Sequence, residues 1–412
     1  MTVQSKSKLK LLFVSSDKFP PCRVDVSILF GQKMVERGHI IDWLLQSDQT
    51  LRKAYQTEWS GCNVHVAPTN NGTSMLSRLR KNCYDIFHDF KMFRVLRKSK
   101  YNLVLIKDKF ISALIAIVAS KLFKLKFIYW LSYPFPEDFL YQVNVGIARY
   151  PFLYWLRGHF LKFMLYRIIL PFSDHVFVQT EQMQKHIVEH GITKEKMTPV
   201  PMGVSTKEIP FFGYQSNHNR ADKEKAVVYL GTLFRGRKLD FLIRVFEKVL
   251  RKERNAKLYL VGGGIDPLDD QIVRDEVGRF GIDDAVTITG LLHQQEAWEY
   301  AKHATVCVSP IYPAPILDCG SPTKLIEYMA MGKAVVANDH PEQGLVISES
   351  KAGICVPYDE YEFAEAILRL FNSPEEARQM GLRGREYVEK HRSYEEIADS
   401  VETKLLEVCK IP

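Results

Sequence analysis

Short runs rich in β-branched and aromatic residues recur along the first two hundred positions: LKLLFVSS, IIDWLLQ, NVHVAP, NLVLIK, KFIYWLS and HVFVQT. A longer stretch with helical spacing of apolar residues follows each, and strands alternating with helices predict a parallel sheet covered on both faces. Between residues 197 and 213 the pattern lapses into MTPVPMGVSTKEIPFFG, rich in proline and glycine, which predicts a domain boundary. The alternation then restarts with AVVYLG, LYLVGG, VTITG, VCVSP, KAVVAN and GICVP. The expectation is an α/β chain of two doubly wound Rossmann-like domains, residues 1–204 and 205–392, facing each other across a cleft. N-cap signals at Ser373-Pro374 and Ser393 predict closing helices, and the segment 393–412 is expected to pack back on the first domain.

Length supports two domains, because 412 residues exceed the ~250–300 at which one core stops growing. Seven cysteines, odd in number and without C-x-x-C spacing, read as reduced thiols of a cytoplasmic protein rather than as a zinc or redox site. The basic N-terminus leads only to LLFV, short of the ~7–15 apolar residues of a secretory signal. The longest uncharged apolar run, Phe110–Ser120, stops short of the ~20 residues of a membrane span. Charge is divided unevenly. Residues 1–200 carry 29 Lys and Arg against 15 Asp and Glu, whereas residues 201–412 carry 27 against 33, so the first half is the one suited to an anionic surface or ligand.

Ligands of open parallel sheets bind where strands end and helices begin, so the chemistry should lie in those loops. The first such loop, SSDKFPPCRVDVSILFGQKMVERGH, lacks the G-x-G-x-x-G fingerprint, which disfavours a nicotinamide-dependent oxidoreductase. The most informative segment is DCGSPTKLIEYMAMG, residues 318–332. Ser321 suits an N-cap and Pro322 the first helical position, so the amides of Thr323, Lys324 and Leu325 would face an anion, with Lys324 adding a charge. Glu327, one turn further and leaning back toward the N-terminus, could accept both hydroxyls of a ribose. The competing reading is a well-capped core helix burying Leu325, Ile326, Met329 and Ala330. Arg235, Arg237 and Lys238 in GTLFRGRKLDFLI would add cations for a diphosphate at another strand end, or form an exposed basic turn. The glycines of LYLVGGG allow close backbone approach, and the backbone of Leu291 and Leu292 could meet the edge of a base.

In this combination and order, PVPMGV, GTLFRGRKLDFLI, LYLVGGG, VTITGLLHQQEAWEYAKHATVCVSP and SPTKLIEYMAMGKAVVA resemble the retaining glycosyltransferases of family 4, with their two-domain GT-B architecture. The resemblance implies that Arg237, or the adjacent Arg235 and Lys238, holds the diphosphate of a nucleotide-sugar donor while Glu327 holds its ribose. Two departures stand out. Where family members carry a glutamate eight residues before the ribose-binding one, this chain has Cys319, leaving Asp318 or the backbone of Gly320 and Ser321 to hold the donor sugar. Where they carry a glycine-rich first loop, it has PPCRVDV, so Arg23 and Asp25, together with Ser132 and Tyr133 of YWLSYPFPED, become the acceptor-side candidates. No side chain is singled out as the catalytic base; the resemblance implies that the donor phosphate helps deprotonate the acceptor.

A lipid-linked or polysaccharide acceptor is expected, because two segments suit anionic headgroups. Lys91, Arg94, Arg97 and Lys98 share one helix face opposite Met92, Val95 and Leu96, and RYPFLYWLRGHFLKFMLYRIILPF is aromatic, basic and without an acidic residue. Arg157, Lys162 and Arg167 spread around the second helix, so core packing competes with membrane contact there. No cofactor and no metal are expected, since no D-x-D pair stands in a suitable loop of the second domain. Nucleic-acid binding is disfavoured for want of a motif. The alternatives are a nucleotide-sugar-binding protein that has lost activity, for which Cys319 argues, and a sugar-nucleotide epimerase of the same fold.

Overall fold

The structure is a computed structural model that describes residues 8–51, 53–69, 72, 80, 83–84, 86–213, 225–264 and 266–410. The chain divides into two compact units, Met1–Pro201 with Tyr394–Pro412, and Met202–Ser393. The second unit begins three residues before the expected boundary because Val204 is held there: its amide donates to the Arg392 carbonyl at 3.0 Å, and it bridges to Ser393.

Among the described residues of the first unit, eight strands form one sheet: β1 Lys10–Phe19, β2 Ile40–Ser47, β3 Tyr55–Trp59, β4 Cys62–Ala67, β5 Leu103–Lys107, β6 Lys126–Leu131, β7 His175–Val178 and β8 Met197–Pro199. Their order is β3-β4-β2-β1-β5-β6-β7-β8, parallel except for the β3–β4 pair. The runs read as strands are the buried ones: β5 is buried throughout and β1 is buried from Leu11 to Ser15, as expected for strands covered on both faces. Helix Tyr394–Cys409 completes this core with Tyr394, Ile397, Ala398, Val401 and Leu405. A buried polar contact fixes it. The Leu9 amide donates to Nδ1 of His39 at 3.0 Å, which leaves Nε2 as the protonated nitrogen that donates to Glu402 at 3.0 Å.

In the second unit the described residues form a wholly parallel sheet of β9 Lys225–Leu230, β10 Ala256–Val261, β11 Val286–Ile288, β12 Val306–Ser309, β13 Val335–Asn338 and β14 Gly353–Val356. The order β11-β10-β9-β12-β13-β14 reverses direction between β9 and β12, and the crevice at such a reversal is where doubly wound sheets take ligands. Helix Asp240–Lys252 shows why the pattern folds this way: Phe241, Leu242, Ile243, Val245, Phe246 and Val249 form a continuous buried stripe, while Asp240, Arg244, Lys248 and Arg251 stay outside the core.

Candidate functional site

The reversal point of the second unit is built from the ends of β9 and the helix Thr323–Ala330. The buried Tyr328 hydroxyl accepts the Leu230 amide at 2.7 Å, which locks this helix to the end of β9. The loop leading into it is fixed from below, with Asn338 Oδ1 accepting the Ile311 amide at 2.7 Å and His340 Nε2 meeting the Leu317 carbonyl at 2.9 Å.

The cap differs from the sequence expectation. Pro322 occupies the N-cap and the helix starts at Thr323, because the Ser321 hydroxyl is engaged elsewhere, accepting the Met202 amide at 3.0 Å. The consequence for ligands is small. Thr323, Lys324 and Leu325 are still the first three helical residues, and their amides precede the first i→i−4 bond. The Leu325 side chain is core, so only its backbone can serve.

Around the buried phenol of Tyr229, at the end of β9, two cations converge. Lys324 Nζ lies 4.9 Å from the ring centre, and Arg237 Nη1 donates to the hydroxyl at 3.4 Å. Neither cation forms an ion pair with a carboxylate among the described residues. Burial acts to raise the phenol, but the adjoining Lys324 and Arg237 charges pull it below its usual range. The Lys324 ammonium is lowered, first by burial and then by Arg237. Gly231, at φ +141°, makes room for this arrangement, since a Cβ there would lie 2.7 Å from Lys324 Cε. Glu327 stands one helical turn on, half-buried, and its carboxylate makes no hydrogen bond among the described residues; burial pushes its carboxyl up to about 7, against the opposing effect of Lys324. Like charges held together without a counterion, next to open helix amides, suit an incoming polyanion.

The other candidates separate. Arg235, two residues from Arg237, is turned away: its Nε donates to the buried Asp269 carboxylate at 2.9 Å and its Nη2 to Asp266. It braces the two carboxylates of the capping box of helix Pro267–Phe280, Asp266 and Asp269, and is not available to a diphosphate. Lys238 is exposed with φ +52°. Leu292 is exposed on the loop that precedes helix Gln294–His303. Gly320 donates its amide to the Leu317 carbonyl at 2.9 Å, which removes it as a sugar donor group. Cys319 is buried with Sγ near the Pro315 carbonyl, whereas the neighbouring Asp318 is half-buried with its carboxyl raised by burial. Gly262 serves the backbone rather than a ligand, since a Cβ there would lie 2.1 Å from the Gly231 carbonyl oxygen.

Residues 224–373 match the family described as glycosyl transferases group 1, and residues 30–203 match the glycosyl transferase 4-like domain. The chain belongs to the group 1 glycosyltransferases. Among curated relatives, glycosyltransferase 1 domain-containing protein 1 of Xenopus tropicalis is 24% identical over 220 residues, covering 52% of this chain and 61% of its own length. Alpha-monoglucosyldiacylglycerol synthase of Streptococcus pneumoniae is 24% identical over 236 residues, covering 56% of this chain and 50% of its own. The alignments therefore span between half and about three fifths of these relatives. In fold, this glycosyltransferase resembles sucrose-phosphate synthase from Thermosynechococcus elongatus, with TM-score 0.74, 19% identity and coverage of 97% and 99% of the two chains. It also resembles Anabaena HepE in complex with UDP-glucose, with TM-score 0.68, 14% identity and coverage of 97% and 100%.

In its first unit the glycosyltransferase gathers charged groups at the carboxyl ends of β1, β5 and β6. Arg23 binds Asp25 through both Nε (3.1 Å) and Nη2 (2.9 Å), and Asp25 also receives the buried Lys107 ammonium at 2.8 Å. Burial would raise the Asp25 carboxyl, yet Lys107 and Arg23 hold it below the usual range. Asp25 is thus a buried counterion that positions Arg23, which keeps 44% of its side-chain surface exposed. The Ser132 amide and hydroxyl both donate to Asp108, and the Tyr133 hydroxyl donates to Asp138 at 3.2 Å. Sequence reasoning missed Lys107, at the end of the run NLVLIK, and Tyr229, inside the run AVVYLG, both read only as parts of strands. Their only signal was a polar atom at a strand's carboxyl end.

Helix Lys91–Lys98 buries Met92, Val95 and Leu96 as expected. Helix Pro151–Met164 buries only Gly158 and Met164, leaving Phe152, Leu153, Trp155, Leu156, Phe160 and Phe163 exposed, whereas the end of the same segment packs into the core through Leu165, Tyr166, Ile169 and Leu170. Among the described residues no helix is long and apolar enough to cross a membrane.

Proposed function

We propose that this protein transfers a sugar from a nucleoside diphosphate sugar to a lipid-linked or polysaccharide acceptor, with retention of configuration, as a peripheral enzyme on the cytoplasmic face of a membrane. The observation that carries the donor half is the convergence of Arg237 and Lys324 on Tyr229 without a carboxylate partner, beside the unbonded Glu327. In this reading the diphosphate lies between those cations and the amides of Thr323–Leu325, and Glu327 accepts the ribose hydroxyls. Asp318 takes the place left by Cys319 at the donor sugar, since Gly320 has no free amide to offer. HepE, whose fold this chain shares, holds UDP-glucose.

The acceptor half rests on the exposed aromatic helix. A row such as Phe152, Trp155, Phe160 and Phe163, with Phe152 71% exposed, costs a soluble protein stability and solubility unless it meets something apolar. Arg149, Arg157, Lys162 and Arg167 accompany it, the combination that interfacial helices present to anionic lipid. The pneumococcal relative is by name a glycolipid synthase. Flotation at low salt should recover the protein with anionic vesicles and far less with neutral ones. Trp155→Glu with Phe160→Glu should lower that recovery at least tenfold, each ring contributing about 2 kcal/mol, while UDP binding in solution stays unchanged. Equal recovery with both vesicle types would refute the membrane reading.

Transfer itself is tested with radiolabelled UDP-glucose and GDP-mannose in the presence of lipid extract. A labelled lipid whose new linkage keeps the donor's anomeric configuration is the expected product. Conversion of the nucleotide sugar without acceptor would instead identify an epimerase, and label on a soluble hexose phosphate would move the acceptor off the membrane.

A further inference from the structure

Beneath the aromatic helix, and apart from everything assigned above, Glu137, His186 and His190 each bring a ligand atom into a group whose members all lie within 4.8 Å of one another. Glu137 comes from helix Phe135–Asn144, His186 from helix Glu181–Glu189, and His190 caps the C-terminus of that second helix. Three details distinguish this group from an ordinary polar cluster. Nδ1 of His190 meets the His186 carbonyl oxygen at 2.9 Å, so Nδ1 carries the proton and Nε2 keeps its lone pair. Nε2 of His186 and Oε2 of Glu137 are buried without a hydrogen-bond partner, and the 3.7 Å from His186 Nε2 to Glu137 Oε1 is too long for one. The neighbours fix the ligands: Tyr166 donates to Glu137 Oε1 at 3.0 Å and stacks on His190 with ring centres 4.1 Å apart. Such outer partners are what ligating side chains usually have.

We propose that Glu137, His186 and His190 form a binding site for a zinc-like divalent cation. Two imidazoles and a carboxylate are a donor set that suits Zn²⁺, and three protein ligands leave a fourth position for water or an anion. His190 also lines a surface cavity of about 530 Å³ with Lys162 and Arg167, from which that fourth ligand would come. Binding would draw these atoms from within 4.8 Å to the ~3.4 Å edges of a tetrahedral site around ~2.05 Å bonds. The Lys162 ammonium, 3.9 Å from Glu137 Oε1, stands where it would have to yield to the cation. The metal would tie helix Phe135–Asn144, which packs on the aromatic helix, to helix Glu181–Glu189, and so brace the base of the exposed aromatic face.

The spacing of His186 and His190, one helical turn apart, was a signal in the sequence, but a search for C-x-x-C and D-x-D patterns passes over it. The proposal does not depend on the glycosyltransferase reading, because its test needs no substrate. Full-length protein without an affinity tag, stripped with chelator and exchanged into chelator-free buffer, is titrated with Zn²⁺ by calorimetry and with Co²⁺ by visible absorption. The expected result is one tight equivalent per chain and a rise in Tm with Zn²⁺. His190→Gln should weaken binding at least a hundredfold and Glu137→Gln at least tenfold, both with loss of the Tm rise. Should His190→Gln fail to fold, Glu137→Gln, which keeps an oxygen for the Tyr166 hydroxyl, decides. Absence of a stoichiometric equivalent in the wild type, or unchanged affinity in Glu137→Gln, overturns the site.

Discussion

Replacing Glu327 with alanine should weaken UDP-sugar binding by roughly a hundredfold, and replacing it with glutamine should weaken binding by about tenfold while making the empty protein more stable at pH 8. The first number follows from two charge-assisted hydrogen bonds to ribose hydroxyls at about 1.5 kcal/mol each. Glutamine keeps the shape but offers only neutral contacts, hence the smaller loss. The stability gain comes from the carboxyl's environment. Its pKa is raised from 4.5 to about 7 by burial, so between these values the folded protein holds a proton that the unfolded chain has released. Stability therefore falls as pH rises from about 4.5, and the loss is complete above about 7. Glutamine carries no such proton. The Tm of Glu327→Gln should exceed that of wild type at pH 8 and approach it at pH 5, and a gap independent of pH would show that the carboxyl is not strained. A residue that lowers stability while empty and gains partners when ligand arrives is what a binding site, rather than a core helix, requires.

That coupling also marks where the sequence could be read and where it could not. The twelve runs rich in β-branched residues are all strands; most are buried, and a strand buried on both faces has few ways to be anything but apolar, while the edge strands Val286–Ile288 and Gly353–Val356 keep the pattern though only partly buried. The two strands not anticipated lack that imprint: Tyr55–Trp59 is mostly exposed and antiparallel at the sheet's edge, and Met197–Pro199 is three residues ending in proline. At the site, Glu327 and Lys324 were legible because helical spacing fixes their relation to the helix start. Ser321 was misread as the cap because its hydroxyl has a competing partner 119 residues away at Met202, and nothing local announces such a bond. Arg235 and Arg237 were indistinguishable in sequence. The tight turn Arg235–Arg237 sends one toward Asp266 and Asp269 and the other toward Tyr229, and that choice was made by a helix start thirty residues downstream.

The same divergence yields the sharpest mutational contrast in the second unit. Arg237→Met combined with Lys324→Met should lower UDP affinity about a thousandfold, corresponding to about 4 kcal/mol from two charge-assisted contacts to the diphosphate. Uridine, which has no phosphate, should bind the double variant as it binds the wild type, and calorimetry with the two ligands separates lost charge from lost shape. Folding should not suffer. The two cations sit beside one another, and Arg237 already depresses the Lys324 ammonium, so removing them relieves repulsion in the empty protein. Arg235→Met should behave in the opposite way. It leaves the Asp269 carboxylate buried without its guanidinium, at a cost of about 1–3 kcal/mol, and lowers Tm while UDP affinity stays within about threefold of wild type. Equal losses of UDP binding in all three substitutions would mean that the turn acts as one diffuse basic patch. Selective loss with Arg237 and Lys324 alone would mean that Tyr229 and Gly231 hold two cations in place for one pyrophosphate.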